Sequence, residues 1–276
     1  MTEPKYRKSL NKSQLDILLT LYKFRFLTRD LWVDYTDRKT GSYEYFRLLR
    51  LVDQGYIGRH YTRQDSIDRN PAVYFALPDG IKALKRLTDL EPTAFNGMYK
   101  DRLANRATIN RCLLIFAIFN RFKSFFGNQR LNYYTKREMA QYDFFPRPLP
   151  QAYITVKNEG KDDDQYFLEL FDASTQNKKH WQRLKFHMDQ SDSGNWEAAG
   201  RDYPDLLLIC ETPQVERLVQ RLAEKMQAST GADMAVYTTS YNALLNARSL
   251  NDEIWSNIDE PEELVNLNQV SASKTV

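Results

Sequence analysis

LLRLVDQGYIGRHY, residues 48–61, followed after a polar gap by VYFALPDGIKAL, residues 73–84, is the stretch on which the reading of the first half of the chain turns. From Ser42 to about Gln54, Tyr45, Leu48, Leu49 and Val52 recur at i, i+3, i+4 and i+7, which predicts a helix with that stripe turned inward. Gly55 supplies its C-terminal stop. Tyr56–Tyr61 and Ala72–Leu77 read as two strands, and the polar segment Thr62 to Pro71 between them carries Arg63 and Arg69. Pro78-Asp79-Gly80 then opens a helix over Ile81–Leu87. Upstream, Ser13 is placed to cap a helix bearing Leu15, Leu18, Leu19 and Tyr22. Thr28 opens a short helix through Tyr35 that puts Leu31 and Trp32 in the core, and Asp37 to Gly41 form the turn into the third helix.

A run of three helices and then a hairpin with a basic tip resembles winged-helix regulators. The resemblance implies a DNA-binding domain over residues 1–90 whose third helix enters the major groove. With the inward stripe assigned, the opposite side offers Lys39, Thr40, Ser42, Tyr43, Arg47 and Arg50, and the hairpin adds Arg59, Arg63 and Arg69. Arginine and lysine reach phosphates or pair with guanine, while Ser, Thr and Tyr fix register. Two other readings stay open: a winged helix that docks protein and not DNA, and Arg47 and Arg50 pairing with Glu44 and Asp53 along the helix surface.

Charge supports a polyanion partner. The 276 residues contain 39 Lys and Arg against 36 Asp and Glu. Residues 1–130 hold 24 of those bases and 13 of the acids, so the second half is acidic. The longest apolar run, Cys112 to Phe119, is too short to span a bilayer, and MTEPKYRKSL lacks the apolar centre of a secretion signal. A cytoplasmic location and no membrane partner are the expectations. Cys112 and Cys210 lie in apolar runs far apart, which predicts buried thiols and no zinc site.

Beyond residue 90 we expect a linker over 91–100, an α/β domain over 101–250 and an acidic, partly disordered tail over 251–276. The domain would open with a long helix, Asp101–Phe126. Strands follow at Leu131–Thr135, Ala152–Val156 and Tyr166–Phe171, then a helix at Gln176–Met188. The wholly apolar Leu206–Cys210 is the candidate central strand, with a helix at Gln214–Gln227 and a strand at Met234–Tyr237 beyond it. That order matches a restriction-endonuclease-like core. LPQAYITV, YFLELFD, HWQRLKFHM and YPDLLLICET, at residues 149–156, 166–172, 180–188 and 203–212, make the chain similar to the replication-relaxation family of bacterial and plasmid proteins. The resemblance, over about residues 10–240, implies an accessory or regulatory role in replication, relaxation or mobilisation of a plasmid or other mobile element.

A nuclease of that fold needs two strand-borne acids and a lysine to hold Mg²⁺ and activate water. Here the first acid's place falls on Gln151, and the acid-x-Lys triplet reads Glu169-Leu170-Phe171. We therefore expect a non-enzymatic protein with no cofactor and no metal. The alternative is an active Mg²⁺-dependent nuclease using Glu138, Glu169, Asp172 and Lys185. A protein-interaction adaptor that never touches DNA is the other alternative. No phosphate-loop, dinucleotide-binding or serine-hydrolase motif is present. The rings of Tyr133, Tyr134, Tyr142, Phe144 and Phe145 are assigned to core and loop packing, with stacking on unpaired bases as the alternative, and His180 and His187 to packing or surface roles. The expected partners are double-stranded DNA and, for the second domain, another replication or mobilisation protein or a second copy of the chain.

Overall fold

The computed structural model describes residues 10–37, 41–158, 160, 162–193, 196, 202–232 and 234–272. The chain is mixed α/β and divides into two compact units, Met1–Asn120 and Arg121–Val276.

In the first unit, helix α1 (Lys12–Phe24) is capped by Asn11, two residues ahead of the expected Ser13. The Asn11 side chain accepts from the Gln14 N–H while the Gln14 side chain accepts from Asn11 N–H, a reciprocal cap. Strand β1 (Leu27–Thr28) leads into α2 (Arg29–Thr36), which Thr28 caps as expected. Helix α3 spans Gly41–Asp53, and Gly55, at φ 73°, turns the chain into β2 (Ile57–His60). After α4 (Arg63–Ile67), strand β3 (Val73–Ala76) pairs antiparallel with both β2 and β1, giving the order β1-β3-β2. Helix α5 (Pro78–Leu87) packs on α1, and Gly80 sits so close to the Tyr56 carbonyl that a Cβ there would lie 2.2 Å from its oxygen.

Two expectations about connecting segments fail in this unit. Residues 91–100 are not a linker. Pro92–Phe95 and Met98–Leu103 form 3-10 turns that bury Ala94, Phe95 and Met98. Asp101, 1% exposed, is held there by the Arg25 guanidinium at 2.8 Å. Helix α6 begins only at Arg106, where the Asn105 side chain accepts the Thr108 N–H, and runs to Arg130, leaving Leu103 exposed. The segment 62–71 is also not all loop. Thr62 and Asp65 form a capping box that starts one turn of helix at its centre.

The boundary between units falls within α6, whose helical backbone is broken near its end by Gly127 at φ 69°. In the second unit β4 (Leu131–Thr135), α7 (Lys136–Met139), β5 (Ala152–Val156), β6 (Asp164–Phe171), α8 (Asn177–Asp192), β7 (Asp205–Cys210), α9 (Pro213–Thr230) and β8 (Val236–Ser240) follow in turn. A short helix α10 (Tyr241–Asn246) precedes β9 (Trp255–Asn257), β10 (Glu260–Val265) and α11 (Leu267–Ala272). The sheet order is β10-β9-β8-β7-β6-β5-β4, with β6, β7 and β8 parallel and the outer pairings antiparallel. Strand β7 is its centre, buried at every position, as its unbroken apolar run demands. Its Leu206, Leu208 and Cys210 meet Leu184 and Met188 of α8 and Val215, Val219, Ala223 and Met226 of α9 in one core. Cys210 is a buried free thiol, whereas Cys112 is only half-buried.

Residues 255–265 of the acidic C-terminal stretch belong to the sheet and are not a tail. Trp255 is fully buried and Ser256 and Ile258 nearly so, which anchors β9 beside β8. The acids Glu260, Glu262 and Glu263 lie exposed on the edge strand β10, where charge discourages further strand pairing.

Candidate nucleic-acid interface and a buried carboxylate cluster

Helix α3 buries Glu44, Leu48 and Leu51; of the anticipated stripe Leu48 is fully buried and Leu49 and Val52 half-buried, while Tyr45 is displaced. The rotation has a physical cause. The Trp32 indole N–H, itself buried, donates to Glu44 at 2.6 Å, so a carboxylate occupies an inward position that apolar periodicity assigned to Tyr45. Tyr45 is turned outward at 38% exposure, beside Tyr43 at 60% and Phe46 at 65%. Tyr43, Phe46 and Arg50 therefore share the outer face, at i, i+3 and i+7.

The residues anticipated for DNA contact have different fates. Arg47 is partly withdrawn: it pairs with Glu44 at 2.9 Å and lies over the Tyr43 ring at 4.3 Å, its side chain 21% exposed. Arg50 is exposed and sits one turn further along. Arg59 is exposed on β2 with its guanidinium 5.5 Å from the Tyr61 ring. Arg63, in the first turn of α4, and Arg69, at φ 54° just after it, are exposed at the hairpin tip. Lys39 and Thr40 lie outside the described residues, and Ser42 is placed only as backbone of α3.

Each of the four nuclease candidates has side-chain partners of its own. Glu138 is spent locally: its carboxylate accepts the Thr135 N–H at 2.8 Å and the Thr135 hydroxyl at 3.1 Å, closing the capping box of α7. Asp172 accepts from Ser174 at 2.6 Å and Thr175 at 2.8 Å in the turn before α8. Lys185 pairs with Asp189 at 2.7 Å, one turn on along α8. Among the described residues, no group of three or more His, Cys, Asp or Glu is placed to hold a metal ion.

Glu169 has a different set of neighbours, which sequence reasoning missed. It lies in mid-strand on β6 at 2% exposure, facing α8. Arg183 Nε donates to its Oε1 at 2.8 Å, Arg183 Nη2 reaches the same atom, and His187 Nε2 lies 3.0 Å from it. Arg183 Nη1 also donates to the Pro148 carbonyl at 2.7 Å. His187 Nδ1 meets the Tyr203 hydroxyl at 2.8 Å. Burial alone would raise the Glu169 pKa, but the Arg183 guanidinium and the His187 hydrogen bond outweigh it and hold the carboxylate at about 2. Burial, with a smaller push from Arg183, lowers the His187 pKa against the pull of Glu169. A neutral imidazole beside a carboxylate must donate from Nε2, so its Nδ1 accepts from the Tyr203 O–H. Phe167 and Trp196, with ring centroids 5.1 Å apart, close this line off, and Phe145 and Tyr153 pack on Trp196. The Arg183 and His187 contacts all converge on one carboxylate oxygen of Glu169, Oε1, and tie the strand to helix α8. The signal in the sequence was available: Glu169 is the sole acid in YFLELF, and Arg183 and His187 stand one helical turn apart.

No protein-family description matches the chain, and no curated protein does either. Among solved structures it is similar to the restriction endonuclease FokI, at a TM-score of 0.32 and 10% identity over 87% of this chain. The chain spans 44% of the length of that structure. No described helix is long and apolar enough to cross a membrane.

Proposed function

We propose that this is a non-enzymatic protein that binds double-stranded DNA through its first unit. The observation that carries the reading is the outer face of α3, which leads directly into a hairpin bearing exposed Arg59, Arg63 and Arg69. The order helix, strand, two helices, then hairpin is compatible with a winged helix; in such a domain the helix before the hairpin enters the major groove. The residues near its N-terminus meet base edges there. Tyr43 and Phe46 lie in the first two turns of α3, Arg50 follows on the same face, and residues 1–120 hold 21 Lys and Arg against 13 Asp and Glu. An arginine-studded hairpin beside such a helix supplies phosphate contacts that set register without reading sequence.

The second unit is proposed as a scaffold that recruits a partner protein or a second copy. Accessory work in plasmid replication, relaxation or mobilisation is the setting suggested by the sequence resemblance. The test is fluorescence anisotropy with labelled duplex DNA at two salt concentrations, with EDTA and with Mg²⁺. Binding should weaken steeply with salt, and Arg50→Ala should reduce the salt slope by about one unit. Absence of binding at low salt would overturn the proposal. DNA cleavage that requires Mg²⁺ would overturn its non-enzymatic part.

A further inference from the structure

Phe46 is the most exposed aromatic side chain of α3 and stands near the centre of its outward face, between Tyr43 and Arg50. A benzyl group can neither accept nor donate a hydrogen bond to a base edge, and it has no attraction for phosphate. The floor of the major groove presents one apolar group to it, the C5-methyl of thymine. We propose that Phe46 makes the protein select thymine-containing sites by packing on that methyl group. Arg50 and the hairpin arginines Arg59, Arg63 and Arg69 anchor the phosphates on either side. This inference rests on the reading of the first unit as a duplex-DNA binder, and the net positive charge of that unit is what favours DNA over an apolar protein partner on the same face.

The geometry separates Phe46 from its neighbours. Tyr43 lies under the Arg47 guanidinium, which is drawn in turn toward buried Glu44, so that pair is held by the helix itself. Phe46 has a tilted contact with Tyr45, at 5.9 Å between ring centroids, and still leaves 65% of its surface in water. Covering a thymine methyl would remove apolar surface of both the ring and the methyl group from water.

The test copies one pool of short duplexes, with a randomised core, using either thymidine or deoxyuridine triphosphate. The two products differ only in the C5-methyl. Binding of the full-length protein is measured for both pools and for the separated single strands. The thymine pool should bind about fourfold more tightly, the worth of one methyl group removed from water. Phe46→Ala should abolish that preference while leaving salt-dependent binding in place, and Phe46→Leu should keep most of it. Because Phe46 is exposed, both variants should unfold at the temperature of the unsubstituted protein. Equal binding of the two pools, with steep salt dependence, would overturn the inference and leave the DNA reading standing. Tighter binding of single strands would also overturn it, since the ring would then be stacking on unpaired bases. No binding to any pool would remove both readings and point to a protein partner.

Discussion

Replacing Arg183 with methionine should destabilise the second unit at neutral pH and much less in acid. The guanidinium is the main opposing charge for Glu169, whose carboxylate it helps hold at about 2 against an ordinary value of 4.5. That difference corresponds to about 3 kcal/mol of differential stabilisation. Removing one partner of a buried ion pair costs about 3–5 kcal/mol, because the other charge stays buried without compensation. The pH dependence follows from linkage. A carboxylate with a depressed folded pKa contributes stability that is full above its unfolded value, near 4.5, and is lost as pH falls toward 2. In Arg183→Met the carboxyl can take up a proton instead, so the penalty should shrink on going from pH 7 to pH 4. Urea denaturation followed by circular dichroism at both pH values is the assay. The double variant Glu169→Gln with Arg183→Met should recover much of the loss, since no charge is then buried. A penalty below about 1 kcal/mol at pH 7, or one unchanged at pH 4, would refute the account of Glu169 as a carboxylate stabilised by Arg183.

Further expectations concern the elements that orient α3 and close the sheet. Glu44→Ala strands the Trp32 indole N–H in the core and should cost about 1–3 kcal/mol in the first unit, read by urea denaturation. Gly80→Ala sets a methyl against the Tyr56 carbonyl, where backbone must yield, and should lower stability by about 1–3 kcal/mol or more. Trp255→Ala should cost about 3–5 kcal/mol in thermal or urea unfolding, because this fully buried ring anchors β9; a negligible effect would restore the view of residues beyond 250 as a tail. His187 adds a second acid-side loss: its folded pKa lies below its unfolded 6.5, so stability should fall as pH drops below 6.5, and His187→Gln should flatten that limb of the stability profile.

The alternation and runs in the sequence were enough to place most strands and helices within a few residues. Leu206–Cys210 could be assigned to the middle of a sheet because an uninterrupted apolar run has no side to offer water. The 3-10 turns over 92–103 left no such mark, since each is too short to complete a period. The rotation of α3 was hidden for a different reason. Apolar periodicity ranks Tyr45 above Glu44 as an inward residue, and only the position of Trp32, on another helix, reverses that ranking. The strands at 255–257 and 260–265 read as tail because acids dominate them, although Trp255 and Ile258 carry the burial.

By itself the sequence determined the mixed α/β class, the central strand, the helix–hairpin order of the first ninety residues and the basic character of the first half. These are properties of local pattern and of total charge, which need no knowledge of distant neighbours. Only the tertiary structure decided which side of α3 faces outward, that Glu138 caps a helix, and that Glu169 is closed off by Arg183 and His187. The physical reason is common to all of them. A buried polar group is positioned by whichever partner satisfies it, and here that partner ranges from a neighbouring turn to a side chain on another element.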